Sequence, residues 1–253
     1  MDEPSLAARI RVVLVGTQHP GNIGSAARAM KTMGLSRLAL VAPERYPHAD
    51  ADALAAGAGD VLAAATLHAD LAAAVADCTL VLGCTARSRR VPLPEHGPRE
   101  AAAMALDEAA GGGEVALVFG RERTGLENDE LQLCHAAVHI PANPDYSSLN
   151  LAAAVQVLAW ELRSAMLGRA PAAQVEPRDP PASHAQLEGL FAQLAETLDA
   201  IDFHKGRAPE SAMRKLRRLF LRSRLDAREV RLLRGVLADA QRMARLAGGG
   251  EHP

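Results

Sequence analysis

Residues 11–40 read RVVLVGTQHPGNIGSAARAMKTMGLSRLAL, and this stretch decides the fold class. It predicts a buried strand over residues 10–15, a loop with three glycines, an amphipathic helix to about Met33 and a second strand from about Leu38. We expect Gly34 to end the helix in the left-handed conformation. Such a unit places backbone N–H groups at the carboxyl end of a sheet, where open α/β folds bind polar ligands. The glycine spacing fits neither the dinucleotide pattern GxGxxG nor a phosphate-binding loop that ends in GK[ST].

Three further apolar segments follow, at residues 78–83, 115–119 and 136–140. None alternates with polar residues, which indicates burial on both faces and hence a parallel sheet with helices on each side. The segments open into the polar stretches CTARSRR, GRERTGLENDEL and PANPDYSSLN, and the last runs into a predicted helix over residues 148–167. The sequence therefore predicts an α/β fold in which all these loops meet at one edge of the sheet.

Four strings carry a resemblance to a known family: HPGNIGSAARAMKTMGL, TARSR, LVFGRERTGLENDEL and NPDYSSLNLAAAVQV. They resemble the three motifs of the SPOUT RNA 2′-O-methyltransferases, above all the bacterial tRNA methyltransferases that modify the pyrimidine at position 32 of the anticodon loop. The resemblance covers residues 10–167, with a weaker echo in the C-terminal region. It implies a sheet whose C-terminal part forms a trefoil knot, a rare feature among folds. It also implies S-adenosylmethionine as the methyl donor and tRNA as the substrate.

Composition limits the class of protein without identifying it. The 253 residues contain no run of 18 or more strongly apolar residues, and the start MDEPSLAARI does not resemble a signal peptide. The three cysteines have no CxxC spacing, so we expect neither a disulfide framework nor a metal site. The expectation is a cytoplasmic protein with no membrane segment and no stable protein partner other than its own copy.

Charge and proline content divide the chain into three parts. We predict a methyltransferase domain over residues 1–167, a proline-rich linker over 168–182 and a basic, all-helical domain over 183–253. Residues 205–234 contain eleven basic and three acidic side chains, which favours an RNA-binding role for the last domain. The alternative is a solvated arginine-rich face that also packs against the neighbouring domain.

The resemblance assigns the cofactor pocket to small or apolar residues that follow the predicted strands. These residues are Cys84, Thr85, Ala86, Gly120, Ile140, Ser147, Ser148 and Leu149. Such residues suit a pocket lined by backbone N–H and C=O groups, which recognise an adenine edge without charged side chains. The alternative for Gly120 and the two serines is that they are only turn and helix-cap residues.

Arg28 is the candidate catalytic residue, because the resemblance implicates it in activation of the ribose 2′-hydroxyl. A guanidinium with a pKa above about 12 is a poor proton acceptor. We therefore expect Arg28 to bind a phosphate of the target nucleotide and to lower the pKa of the hydroxyl, while phosphate or water takes the proton. The alternative is a surface arginine whose stem lies along the helix.

The remaining catalytic candidates are polar residues of the same motifs. Asn22 and Asn150 are expected to orient the ribose and phosphate, although Asn22 also fits a helix N-cap. Glu122 is expected to hold Arg121, Arg123 or the Asn22 loop, or to form a surface ion pair worth less than about 1 kcal/mol. Ser148 is expected to polarise the acceptor or to close the methionine end of the pocket.

Position 16 departs from the family pattern, because related enzymes commonly carry a carboxylate there and this chain has Gly16. The resemblance further implies a homodimer in which Arg28 of one chain lies near the cofactor of the other. The apolar profile of the helix predicted over residues 148–167 is consistent with such an interface.

Several functions remain open at this point. Methylation of ribosomal RNA or of another tRNA position is one, and a non-catalytic RNA-binding protein of the same fold is another. A nucleotide hydrolase is disfavoured, because the predicted strand ends offer arginine, serine and asparagine rather than acidic metal ligands.

Overall fold

A computed structural model describes residues 3–86, 93–168, 180–205 and 208–248. The described residues form two compact units, which lie within Met1–Glu176 and Pro177–Pro253. Most of the predicted linker lies outside the described residues, as do the three arginines of the predicted CTARSRR loop.

The first unit is built on a sheet whose strands run in one direction. Its strands are β1 (Ile10–Val15), β2 (Arg37–Val41), β3 (Thr66–His68), β4 (Leu80–Cys84), β5 (Glu95–His96), β6 (Val115–Phe119) and β7 (Ala136–Val138). Within the described residues their order is β3-β2-β1-β6-β4-β7-β5, and every pair is parallel. The prediction of a parallel sheet is confirmed.

Helices cover both faces of this sheet. They are α1 (Glu3–Ala7), α2 (Pro20–Thr32), α3 (Ala49–Ala55), α4 (Gly59–Ala63), α5 (Leu71–Ala74), α6 (Pro98–Ala110), α7 (Asn128–Gln132) and α8 (Leu151–Gly168). On one face, α2, α6 and α8 pack with strand residues such as Leu14 and Leu117. On the other face, Val13 and Val118 pack with α5 and α7. Adjacent strand residues are thus buried on opposite faces, which explains why the apolar runs do not alternate.

Most predicted boundaries agree with the structure. The bounds of β1 and β6 are as predicted, and α2 ends just before Gly34, which has the expected positive φ of 81°. The helix predicted to start at about residue 148 begins later, because α8 starts at Leu151. The side chain of Asn150 accepts a hydrogen bond from the Ala152 amide at 2.9 Å and so caps the helix at that point.

The described part of the second unit consists of three helices, α9 (His184–Ala200), α10 (Pro209–Ser223) and α11 (Ala227–Gly248). Its core contains Leu187, Leu190 and Phe191 of α9, together with Leu221 of α10 and Val230 of α11. Within the described part of the chain, no helix combines the length and the apolar character that a membrane crossing requires.

Candidate active site

The loops that carry the predicted site residues lie side by side. Strands β1, β6, β4 and β7 are consecutive in the sheet, and all four end at the same edge because they are parallel. We call this the carboxyl edge. It receives the loop before α2, the loop over residues 120–125, Thr85 with Ala86, and the segment that leads to α8. Open α/β sheets bind ligands at such an edge.

Glu122 is bonded to the first of these loops. Its Oε1 accepts hydrogen bonds from the His19 amide at 3.1 Å and from Nδ2 of Asn22 at 3.0 Å, and its Oε2 accepts one from the Gln18 amide at 3.0 Å. Burial raises the pKa of Glu122, but the hydrogen bonds from Asn22 and from the Gln18 and His19 amides outweigh burial and hold the pKa below its ordinary value. Glu122 is therefore an ionised acceptor at neutral pH.

Asn22 links Glu122 to the last of the loops. Its Oδ1 accepts a hydrogen bond of 3.0 Å from Nδ2 of Asn150, so the network joins residues that follow β1, β6 and β7. The alternative that Asn22 caps α2 is wrong, because the N-cap position is His19 and Pro20 begins the helix. The three residues form one connected polar network at the carboxyl edge.

Arg28 lies outside this network. It is exposed on α2, about 9 Å along the helix axis from Asn22, at a rise of roughly 1.5 Å per residue. Among the described residues, no hydrogen bond or ion pair to its guanidinium is present. Its charge is thus free to face a ligand.

The residues predicted for the cofactor surround the same edge. Cys84 ends β4 half-buried, and the Thr85 amide donates to the carbonyl of Val138 on β7 at 2.9 Å. Ala86 and Ser148 are exposed, whereas Ile140, Ser147 and Leu149 are half-buried. Within the described part of the chain, the backbone amides of residues 147–149 have no hydrogen-bond partner. Unpaired donors of this kind suit recognition of a polar ligand by the backbone.

Gly120 is constrained by its own loop. The amide of Arg121 donates to the Gly125 carbonyl at 3.2 Å, and the Gly125 amide donates back to Arg121 at 2.8 Å. A Cβ at Gly120 would lie 2.1 Å from the Gly125 carbonyl carbon and 2.2 Å from the Leu126 nitrogen. Position 120 therefore requires glycine for closure of the loop, whatever else it contacts.

A cavity of about 440 Å³ lies elsewhere and contains none of the predicted site residues. Its lining includes Arg11 and Arg37, near the starts of β1 and β2, and both guanidiniums are already in ion pairs, with Asp77 and Glu114 respectively. Among the described residues, no group of three or more His, Cys, Asp or Glu side chains is placed to hold a metal ion.

Two features of the site were not predicted from the sequence. The backbone amides of Gln18 and His19 donate hydrogen bonds to the Glu122 carboxylate, and Arg121 forms a two-pronged ion pair with Glu130. Backbone donors leave no residue-type signal in a sequence. The Arg121–Glu130 pair depends on how the 120–125 loop closes, which spacing alone does not reveal.

Comparison with known proteins agrees with this architecture. Residues 9–160 match the SpoU rRNA Methylase family, and residues 185–249 match the C-terminal domain of the tRNA methyltransferase TrmJ. The chain is 49% identical over 249 residues to the tRNA (cytidine/uridine/adenosine-2′-O-)-methyltransferase TrmJ of Pseudomonas aeruginosa, covering 94% of this chain and 95% of that protein. It is 51% identical over 234 residues to the tRNA (cytidine/uridine-2′-O-)-methyltransferase TrmJ of Escherichia coli K12, covering 92% and 95%.

A solved structure of TrmJ from Z. mobilis ZM4 superposes with a TM-score of 0.78 at 36% sequence identity, covering 90% of this chain and 97% of that one. Both units of the chain are thus matched, and the identity extends over nearly its full length. The chain belongs to the SpoU methylase family and, within it, to the TrmJ methyltransferases.

Proposed function

We propose that this protein is a cytoplasmic, S-adenosylmethionine-dependent enzyme that methylates the ribose 2′-hydroxyl of the pyrimidine at position 32 of tRNA. Residues 1–167 form its catalytic domain, with the expected trefoil knot, and residues 183–253 its tRNA-binding domain. The observation that carries the proposal is the Asn150–Asn22–Glu122 network at the carboxyl edge. The names of relatives at about 50% identity, which act on cytidine and uridine of tRNA, support the same substrate.

The cofactor fits a backbone-lined pocket formed by three loops. S-adenosylmethionine supplies an electrophilic methyl group on a sulfonium sulfur. The amides of residues 147–149, which have no partner among the described residues, would bind its adenosine or methionine end, and the closed 120–125 loop would form one wall. Cys84, Thr85 and Ala86 form another wall beside the end of β4. No charged side chain is required for this recognition.

The acceptor side uses the polar residues and Arg28. Asn22 and Asn150 orient the target nucleotide, and Glu122 keeps the Asn22 amide in one rotamer. Arg28 binds a phosphate of that nucleotide and lowers the pKa of its 2′-hydroxyl, which Ser148 polarises. The bound donor would supply the methyl group to the 2′-oxygen with its sulfur as the leaving group, and the hydroxyl proton would pass to phosphate or water.

A direct experiment tests this function. Purified protein, unmodified bulk tRNA and labelled S-adenosylmethionine should yield 2′-O-methylated cytidine or uridine at position 32, mapped by nuclease digestion and mass spectrometry. Label that appears only in ribosomal RNA or at another tRNA position would support the corresponding alternative. Absence of methylation together with no heat of cofactor binding in calorimetry would indicate a non-catalytic RNA-binding protein.

The basic helices of the second unit provide the binding surface for tRNA. Exposed basic side chains on α10 have no ion pair among the described residues; they are Arg214, Lys215, Arg218 and Arg222. Arg217 differs, because it is bonded to Glu188 and lies 4.7 Å over the ring of Phe191. Changing the four exposed residues to glutamine should weaken tRNA binding and reduce its log–log salt slope by roughly 0.7–0.9 for each phosphate that is no longer neutralised. An unchanged affinity and slope would indicate a merely solvated face.

The homodimer is proposed to form through α8. One side of this helix packs against α2 and α6, whereas Trp160 and Leu167 on the opposite side are 50% and 62% exposed. With Ala153, Val157 and Ser164 they recur at spacings of four and three, the pattern of a helix-pairing seam. Trp160→Glu should yield monomers in sedimentation, and Leu67→Glu, an equally exposed site on β3, should not. A wild-type monomer at micromolar concentration would contradict the dimer.

A further inference from the structure

Gly16 and Arg121 are in close contact where β1 ends. Gly16 has a φ of +57°, and a Cβ built on it would lie 2.7 Å from Nε of Arg121 and 2.9 Å from its Cγ. The arginine side chain therefore lies directly on the α-carbon of Gly16, in the space that a side chain at this position would fill. Because position 16 has no side chain, Arg121 can pass across it.

The far end of Arg121 is fixed to α7. Its two terminal nitrogens donate to the two carboxylate oxygens of Glu130 at 3.1 and 3.0 Å, and Glu127 lies 3.6 Å away. Glu130 also accepts a hydrogen bond from the Glu127 amide at 2.6 Å, which orients its carboxylate. Such two-pronged arginine–carboxylate pairs fix direction as well as distance.

Arg121 immediately precedes Glu122, the residue that holds the first loop. The backbone of Arg121 is bonded twice to Gly125, so the 120–125 loop moves as one closed turn. Its fixed points on neighbouring elements include the Arg121 side chain, against Gly16 and Glu130, and the Glu122 carboxylate, against Gln18, His19 and Asn22. Loss of the first would leave the loop less firmly fixed on the side of β1 and α7.

We propose that Arg121 is a positioning residue for methyl transfer: seated on Gly16 and fixed by Glu130, it sets the place of Glu122 and, through Glu122, that of the Asn22 amide. Its effect is indirect, since it acts on residues that face the acceptor. This inference rests on the proposed function. A displacement of about 1 Å in a group that orients a reactant can lower a rate on the order of a hundredfold.

The test compares Arg121→Gln with Arg9→Gln. Arg9 precedes β1 at the opposite end of the sheet and pairs with Glu114 at 3.1 Å, and it is exposed to a similar degree, 36% against 28% for Arg121. Both variants lose an arginine–glutamate pair of the same unit, and Arg121→Gln also loses the weaker pair with Glu127 at 3.6 Å. Arg121→Gln should lower kcat at least about tenfold with KM for tRNA and cofactor within about twofold, whereas Arg9→Gln should leave kcat near the wild-type value.

Hydrogen exchange provides a readout that does not need the reaction. The amides of Gln18 and His19 donate to Glu122, so their exchange should accelerate on the order of tenfold in Arg121→Gln and remain unchanged in Arg9→Gln. Arg121→Lys, which keeps the charge but cannot form both bonds to Glu130, should recover only part of the rate and of the protection.

The contact with Gly16 is tested by a double-mutant cycle. Gly16→Ala should lower kcat at least about fivefold in the wild-type background, because its methyl group meets Arg121. The same change should cost less than about twofold in the Arg121→Ala background, where the colliding atoms are absent. Equal effects in both backgrounds would show that backbone strain at Gly16, and not its contact with Arg121, limits the rate.

The outcomes separate this inference from the proposed function. Unchanged exchange at Gln18 and His19 in Arg121→Gln overturns the inference whatever the reaction. Faster exchange together with a wild-type kcat also overturns the inference, because Arg121 would then hold the loop without affecting the rate of methyl transfer. A wild-type protein that methylates no RNA rejects the proposed function and the catalytic part of the inference together, while the exchange data still report whether Arg121 holds the loop.

Discussion

Replacing Glu122 by glutamine removes the charge at the centre of the polar network while keeping the shape of the side chain. The carboxylate accepts hydrogen bonds from Asn22 and from the backbone amides of Gln18 and His19. A glutamine oxygen in the place of Oε1 retains Asn22 and His19 as partners. The glutamine NH2 group then faces the Gln18 amide, which is also a donor.

The size of the effect follows from the hydrogen bonds of these three donors. Hydrogen bonds to a charged group contribute about 1.5–3 kcal/mol each and neutral ones about 0.5–1.5, so the two retained bonds lose about 2 kcal/mol together. The Gln18 amide donates to both oxygens, so it keeps its 3.2 Å bond to Oε1 but loses the 3.0 Å bond to Oε2 and meets the NH2 group there, at a further cost of about 1 kcal/mol. Because the site is half-buried and partly screened by solvent, we expect a net loss of about 2 kcal/mol in the free energy of unfolding.

Urea unfolding followed by the fluorescence of Trp160 measures this loss. Trp160 is the single tryptophan of the chain and lies on α8, so its signal reports the first unit. Glu44→Gln is the matched control, because Glu44 accepts one bond of 3.0 Å, from the Gln18 side chain, and is exposed. We expect the control to change stability by less than about 0.5 kcal/mol.

The pH dependence supplies an independent check. Because the folded state holds the pKa of Glu122 below its ordinary value of 4.5, its contribution is fully present above that value and is lost as pH falls through the folded pKa. The gap in stability between wild type and Glu122→Gln should therefore narrow below about pH 4.5. A loss no larger than that of Glu44→Gln, or a gap independent of pH, would refute the assignment of Glu122 as the residue that fixes the first loop.

Arg28→Ala should leave cofactor affinity in calorimetry nearly unchanged and lower turnover at least about a hundredfold; near-normal turnover would show that another group activates the acceptor. Gly120→Ala should both weaken cofactor binding and lower the unfolding midpoint of the first unit, because a Cβ at this position meets Gly125 and Leu126. Weaker binding with unchanged stability would instead indicate that the methyl group blocks the pocket directly. Burial lowers the pKa of His184, so the second unit should lose stability as pH falls below about 6.5. His184→Gln should remove that dependence in melting followed by circular dichroism, and an identical pH profile for both proteins would contradict it.

The sequence predicted the sheet because its strongest signal is burial. The runs over residues 10–15 and 115–119 are fully buried on both faces and became β1 and β6 with the predicted bounds. Strands β3 and β5 gave no comparable signal. β3 has three residues, two of them exposed, and β5 has only two residues, so neither shows a hydrophobic pattern long enough to detect.

The start of α8 shows a second limit. The polar segment before it continues smoothly into apolar residues, so the composition favours a helix from residue 148. The competing signal is the Asn150 side chain, which bonds to the Ala152 amide and sets the boundary. The same side chain donates to Asn22, so one residue both ends the loop and joins the network. Residue type alone does not reveal that Asn150 does both.

The residues of the polar network could be predicted from the sequence, but the hydrogen bonds between them could not. The motifs single out Asn22, Glu122 and Asn150, yet the bonds between them span 100 and 128 positions and depend on the order of the strands. Gly16 is the clearest case. In the sequence it is a departure from the pattern that the resemblance implies. In the structure Arg121 occupies the space that a side chain at position 16 would fill, and it continues to Glu130. The lack of a side chain at Gly16 and the Arg121–Glu130 ion pair, more than a hundred residues away, therefore depend on each other. A side chain at position 16 is compatible with this ion pair only if Arg121 takes another position.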